Sequence, residues 1–197
     1  EKQKVIDFSL KIIKSKHLSK KGIEFSILLE KYAKKFIYPT PFELHFSQTW
    51  QQKYKNNEVD YNAKLKDTDL AAHITVILNK GVTLYGKPAE LVFDKSAAKF
   101  YKKSVMSDFE GIVENPADNP VYEILNLCRI LYFLKESKLS SKLEGAKWAI
   151  GFLPDKHKTI VKAALSVYTG KETKKFDKKK VLKFENFMIK RIKDADK

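Results

Sequence analysis

Asn119-Pro120-Val121-Tyr122-Glu123-Ile124-Leu125-Asn126-Leu127-Cys128-Arg129-Ile130-Leu131-Tyr132-Phe133-Leu134 decides how the second half of this 197-residue chain folds. Asn119 suits an N-cap and Pro120 a first helical position, where its missing N–H has no partner to lose. Apolar residues then cover almost the whole circumference, as in a helix buried on all sides. Asn126 and Arg129 stand three apart and share one face of it. A buried guanidinium needs an anionic or hydrogen-bonding partner, because its desolvation alone is costly. Residue types leave two partners open: a carboxylate of the chain itself, or a ligand phosphate or carboxylate.

Outward from this run, helical periodicity extends from about Ser96 onward, in segments near 96–113, 120–136, 142–152, 156–169 and 178–194 joined by short loops. Ser141 and Glu144 form a capping-box pattern. Lys142 then occupies the first helical position, where the dipole disfavours a cation. It is either a solvated lysine or, with the free N–H groups around it, a site for an anion. The lysine-rich stretch from Lys171 reads as an amphipathic helix with a solvated face.

Upstream, the pattern changes. Residues 2–16 place Val5, Phe8, Ile12 and Ile13 at helical spacing. After Gly22, Ile23-Glu24-Phe25-Ser26-Ile27-Leu28-Leu29 alternates as a strand, with Ile23, Phe25, Ile27 and Leu29 on one face and Glu24, Ser26 and Leu28 on the other. Phe42 to Ser47 reads as a second strand, Leu70 to Leu78 as a helix, and Val82 to Tyr85 as a short strand between Gly81 and Gly86. Strands early and helices late give an α+β class with a C-terminal helical bundle. Asp67 and Asp69 precede a helix, where carboxylates cap and complement the dipole. His17, His45, His73 and His157 are too scattered for metal-ligand spacing. No Walker loop, G-x-G-x-x-G or G-x-S-x-G is present.

Composition narrows the function classes. The chain is 43% hydrophobic, enough for a core, and no window approaches 18 consecutive apolar residues. The start, Glu1-Lys2-Gln3-Lys4, has no apolar signal core, and the single Cys128 excludes a disulfide framework. We expect a soluble cytoplasmic protein. The net charge of +15 invites a nucleic-acid partner, yet all basic residues but Arg129 and Arg191 are lysines. Phosphate and base readers lean on the planar arginine fork, so a lysine excess spread along the chain argues for composition rather than a binding face. From Ser104 to Cys128 there is no lysine or arginine, while Asp108, Glu110, Glu114, Asp118 and Glu123 are present. Such a window favours a cationic ligand or local charge balance.

Tyr38-Pro39-Thr40-Pro41-Phe42-Glu43-Leu44-His45-Phe46-Ser47, Asp67-x-Asp69-Leu70-Ala71, Gly81-Val82-x-Leu84-Tyr85-Gly86-Lys87-Pro88, Asn126-Leu127-Cys128-Arg129 and Lys142-x-x-Gly145-x-x-Trp148-Ala149 follow one another in order. Their succession, over about residues 1 to 170, resembles the aminoglycoside nucleotidyltransferases of the streptomycin/spectinomycin adenylyltransferase type. The resemblance implies a polymerase-β-like nucleotidyltransferase domain, here residues 1–94 as its C-terminal part, followed by a helical bundle over 95–197. It implies ATP and Mg2+ as cofactors and a cationic antibiotic as substrate. Glu24 takes the place of the catalytic base. Arg129, Lys142 and Tyr168 fall where the family's helical domain contacts ATP, which tips the open readings of Arg129 and Lys142 towards a ligand. Asp118 and Asn119 would face the drug, and Trp50 would lie against its sugar rings.

The family's Gly-Ser loop and Asp-x-Asp strand, which cradle phosphates and hold magnesium, have no counterpart here. Residues 1 to 16 read as the helix that follows them, and Glu1 is not an initiator methionine. We therefore expect a fragment lacking about 60 residues, inactive alone because phosphoryl transfer is mostly positioning and metal electrostatics. Two other readings are carried forward: a non-enzymatic module binding a cationic small molecule or RNA, and a nucleotidyltransferase acting on another alcohol.

Overall fold

Alternating and helical patterns both become real elements, at unequal lengths. The computed structural model describes residues 1–15 and 22–197, so His17 and the predicted helix end at Lys16 lie outside the described residues. Two units divide the chain, residues 1–101 and 102–197. The protein is mostly helical, with two small sheets.

In the first unit, α1 (Lys2–Ile12) turns Ile6 and Ser9 inward. Phe8, predicted on the apolar stripe, is 63% exposed instead. β1 (Phe25–Ile27) pairs antiparallel with β3 (Leu44–Phe46), in the register Phe25↔Phe46, Ser26↔His45 and Ile27↔Leu44. β2 (Thr40–Pro41) pairs with β4 (Lys66–Asp67). Two-stranded ladders are marginal in water, so side-chain packing must hold them. Here it comes from a cluster of Ile6, Leu44, Phe46 and Tyr54. Phe25 stacks on Phe46 at 5.4 Å, and Phe46 on Tyr54 at 6.1 Å, Tyr54 coming from α3 (Gln48–Lys55). Each offset ring pair adds roughly 0.5–1.5 kcal/mol beyond the area buried.

Three strand expectations need correction. The strands foreseen over 23–29 and 42–47 keep only their central residues. Ile27 and Leu29, foreseen on the apolar face with Phe25, are about 40% exposed. Val82 to Tyr85 form no strand: Val82, Leu84 and Tyr85 are almost fully exposed, and no described strand pairs with them. Alternation supplies the faces of a strand but not its partner. The unit is completed by α2 (Glu30–Lys34), α4 (Leu70–Lys80), α5 (Ala89–Val92) and a 3₁₀ segment, Lys95–Phe100, packed on α4. The helix predicted from Ser96 therefore begins as this tighter turn.

In the second unit the expected helices form nearly as read: α6 (Tyr101–Glu114), α7 (Pro120–Glu136), α8 (Lys142–Phe152), α9 (Asp155–Tyr168) and α10 (Lys178–Asp196). Asn119 Oδ1 accepts from the Tyr122 N–H, capping α7 with Pro120 in its first turn. α7 packs against α8, α9 and α10, and its residues from Glu123 to Leu131, Arg129 apart, are all buried. Burying each of its leucines and isoleucines is worth roughly 1.5–3 kcal/mol. α10 presents Val181, Phe184, Met188 and Ile192 at helical spacing to the same core. The lysine-rich end of the chain thus has one apolar face that is structural.

At the α7–α8 crossing, Gly145 sits against the α7 backbone. A Cβ there would lie 2.9 Å from Arg129 Cα and 3.1 Å from Arg129 N. Only glycine lets the two helices approach this closely. Further along α8, Trp148 meets Tyr132 edge-on at 5.5 Å and donates from Nε1 to Glu136.

Candidate functional site

The second unit holds the residues foreseen for ATP. Arg129 lies on α7, and its Nη2 is 3.3 Å from Asp108 Oδ2 of α6. The Arg129 side chain is a quarter exposed, so an internal ion pair, one of its two foreseen partners, is formed without sealing the side chain away. Its Nε is buried with no hydrogen-bond partner among the described residues. Lys142 opens α8 behind the capping box: Ser141 Oγ accepts from Glu144 N–H at 3.1 Å, and Glu144 Oε2 accepts from Ser141 N–H at 2.7 Å. Its ammonium stands 4.5 Å above the Tyr122 ring, a cation–π contact. Tyr122 thus links Lys142 to the Asn119 cap, while Gly145, one turn further along α8, meets the Arg129 backbone. Tyr168 is the last residue of α9 and half-buried.

Asp118 and Asn119 are exposed on the turn between α6 and α7. Beneath them, Glu123 and Glu185 are buried, at 3% and 1% exposure. Two of the five carboxylates in the acidic window therefore serve inside the fold, Asp108 with Arg129 and Glu123 with the turn. Cys128 is fully buried, and burial pushes its thiol far up, which makes it inert.

In the first unit, Glu24 is exposed and immediately precedes β1. Strand alternation carries it to the side of Ser26, opposite Phe25. On that side Ser26 Oγ is 2.9 Å from His45 Nδ1. His73 Nε2 is 3.0 Å from Asp69 Oδ2, one helical turn away on α4. The Asp69 hydrogen bond holds the His73 pKa above its usual value, against desolvation, and the charges of Asp69, Glu24 and Asp67 add to it. Glu24 and Asp67 are thus within electrostatic reach of this pair. Asp69 is not a side-chain cap, contrary to expectation, because its carboxylate is turned to His73; Asp67 Oδ1 instead accepts from the Asp69 N–H at 2.7 Å.

Trp50 walls a cleft of about 560 Å³ in the first unit, together with Phe42, His45, Lys53, Asp60 and Asp67. The indole meets Phe42 and His45 edge-on, at 6.1 and 5.5 Å. Lys53 Nζ stands 5.0 Å over the Trp50 ring, so this aromatic wall already carries a cation of the chain beside the carboxylates of Asp60 and Asp67. Among the described residues, no group of three or more His, Cys, Asp or Glu side chains could hold a metal ion. No helix described is long and apolar enough to cross a membrane.

Sequence reasoning passed over the Asp69–His73 pair, although its i, i+4 spacing was a usable signal. It also passed over Ser26–His45 and the Glu123–Glu185 pair, which strand register and helix packing alone create.

Comparison with known proteins bears on both units. The profile of the family described as Aminoglycoside adenylyltransferase, C-terminal domain, matches residues 91–191. The spectinomycin 9-adenylyltransferase of Staphylococcus aureus is 21% identical over 133 residues, 68% of this chain and 50% of the relative. The chain spans about half the length of the curated relatives it matches. Among solved structures, spectinomycin adenyltransferase AAD(9) from Enterococcus faecialis, crystallised with ATP and spectinomycin, aligns with a TM-score of 0.83. That alignment covers 98% of this chain and 77% of the other at 19% identity, a likeness of fold.

Proposed function

The chain belongs to the aminoglycoside adenylyltransferase family, which it matches across that family's C-terminal domain, and from this premise we propose that it serves in ATP-dependent O-adenylylation of an aminoglycoside or aminocyclitol. The substrate class is the streptomycin–spectinomycin type; the relatives named above are named for spectinomycin. Residues 1–94 are read as the later part of a polymerase-β-like nucleotidyltransferase domain and 95–197 as its helical companion, working in the cytoplasm. The observation that carries the reading is that the family match spans α7, α8 and α9, the helices bearing Arg129, Lys142 and Tyr168.

In the reaction, an antibiotic hydroxyl attacks the α-phosphorus of ATP. The new O–P bond forms as the bond to the bridging oxygen breaks, and pyrophosphate leaves. Glu24 takes the hydroxyl proton; its exposed position and unburied carboxylate suit a base that must meet a bound substrate. Arg129, oriented by Asp108, and Lys142, steadied over Tyr122, supply cationic donors for the phosphates. Tyr168 supplies a ring face to the nucleotide. Asp118 and Asn119 receive cationic or hydroxyl groups of the drug, and Trp50 covers its rings.

The test is AMP transfer by the protein as its complete reading frame encodes it, followed by mass spectrometry of the drug. Glu24→Gln should lower turnover by about 100-fold or more while ATP binding is retained. Lys142→Ala should weaken ATP about 10-fold or more, the worth of a charge-assisted hydrogen bond. Equal loss of ATP binding and turnover in Glu24→Gln would make Glu24 structural. The expectation that residues 1–197 alone do not transfer AMP belongs to this proposal, and product from them would refute it.

A further inference from the structure

Three consecutive backbone N–H groups on the α6–α7 turn end on two buried carboxylates. Glu123 Oε1, from α7, accepts from Asp118 N–H at 3.1 Å and from Asn119 N–H at 2.7 Å. Glu185 Oε1, from α10, accepts from Ala117 N–H at 3.3 Å. The second oxygen of each carboxyl is buried without a hydrogen-bond partner among the described residues. Ala117 has φ +58°, a left-handed conformation that a residue with a Cβ rarely adopts unless its surroundings impose it. Capping α7 needs only Asn119 and Glu123. Glu185 reaches the turn from a helix far along the chain, and capping does not account for it.

The geometry points to Glu123 and Glu185 as a positioning pair that fixes the 117–119 turn and so aims Asp118 and Asn119 at a bound cationic ligand. This rests on the functional reading above for what the turn contacts. The pair acts through backbone donors and touches no substrate atom. Buried beside Glu123, the Glu185 carboxyl resists ionisation at neutral pH. Burial first, and the neighbouring Glu123 carboxyl second, raise Glu185 to about 8. Facing α10 are Glu123 from α7, His157 from α9 against Phe184 and Phe187, and Lys102 from α6 at Asp196. Of these, Glu123 is the one that acts on Glu185. Burial lowers the His157 pKa, so that ring stays neutral from pH 7 upward and does not confound that range.

The experiment follows hydrogen exchange at the Ala117, Asp118 and Asn119 amides, with spectinomycin and ATP titrated separately, at pH 7 and pH 9. It uses the wild type, Glu185→Gln and Glu185→Leu in the full protein. Glu185→Gln keeps an acceptor oxygen without the charge; it should keep the amides protected at both pH values. Between pH 7 and pH 9 the wild type should lose several-fold more spectinomycin affinity than Glu185→Gln, since titration of the ligand's own amines affects both alike. Glu185→Leu should lose protection at the three amides and about tenfold in spectinomycin affinity, with ATP affinity kept. Protected amides and full drug affinity in Glu185→Leu would overturn the proposal, as would equal loss of ATP and drug binding. Should Glu185→Leu not fold, a Glu185→Gln variant that retains the wild-type pH response overturns it as well. A wild type that binds neither spectinomycin nor streptomycin, with the amides responding as described, overturns the functional reading and leaves the positioning of the turn intact.

Discussion

The two units are built from the same lysine-rich alphabet and are held by different means. In residues 102–197 one helix, α7, is surrounded by three others, and its leucines and isoleucines are closed off from water. In residues 1–101 the strands are two or three residues long, and a stack of aromatic rings does the joining. Apolar residues at Val82, Leu84 and Tyr85 stand in solvent. A helix satisfies its own backbone and needs a neighbour only for its apolar face, whereas a strand needs a partner before it exists. The charged side chains follow the same division: cations positioned by helix packing in one unit, exposed carboxylates at strand and helix ends in the other.

The largest expected effect sharpens this contrast directly. Leu127→Ala, at a fully buried position of α7, should destabilise by about 2–5 kcal/mol, whereas Leu84→Ala should stay within about 0.5 kcal/mol. Denaturant unfolding checks both, and similar costs at the two sites would break the comparison. Next comes Gly145→Ala, where the added methyl meets the α7 backbone. A loss of about 1–3 kcal/mol is expected, with weakened ATP binding because Arg129 must shift. Retained stability with unchanged ATP affinity would show that the helix approach does not set Arg129.

Smaller is Ser141→Ala, which removes one half of the capping box at the start of α8 and should cost about 1 kcal/mol. The smallest is a pH effect in the first unit. The Asp69 partner raises the folded pKa of His73, so its stabilisation is complete below the unfolded histidine value of about 6.5 and is lost as pH rises through the higher folded value. His73→Gln should flatten that dependence slightly; an unchanged profile would mean that the half-exposed pair contributes nothing.

What could be read from residues alone divides along the same line. The helices of the second unit were legible because caps and periods are local: Asn119 and Pro120 start α7, and Ser141 with Glu144 starts α8. Glycine at position 145 was visible as part of a motif, but its reason, contact with Arg129, lies across a packing interface. Asp108 as the partner of Arg129 was foreseen as a kind of residue and not as that residue, since nothing local links α6 to α7. The strand carrying Glu24 was recognised by alternation, yet its length was set by the three residues of β3 available to pair. Val82 to Tyr85 failed for the same reason. Glu123 and Glu185 lie so far apart in the chain that only helix packing reveals them as a pair.

Under the proposed function, Glu24 is the base of an adenylyl transfer to a cationic antibiotic. The most direct test incubates the full protein, as wild type and as Glu24→Gln, with ATP and either spectinomycin or streptomycin, and looks for adenylylated drug by mass spectrometry. Product is expected from the wild type, with a loss of about 100-fold or more in Glu24→Gln and ATP still bound. Undiminished product from Glu24→Gln, or none from the wild type with either drug, would contradict it.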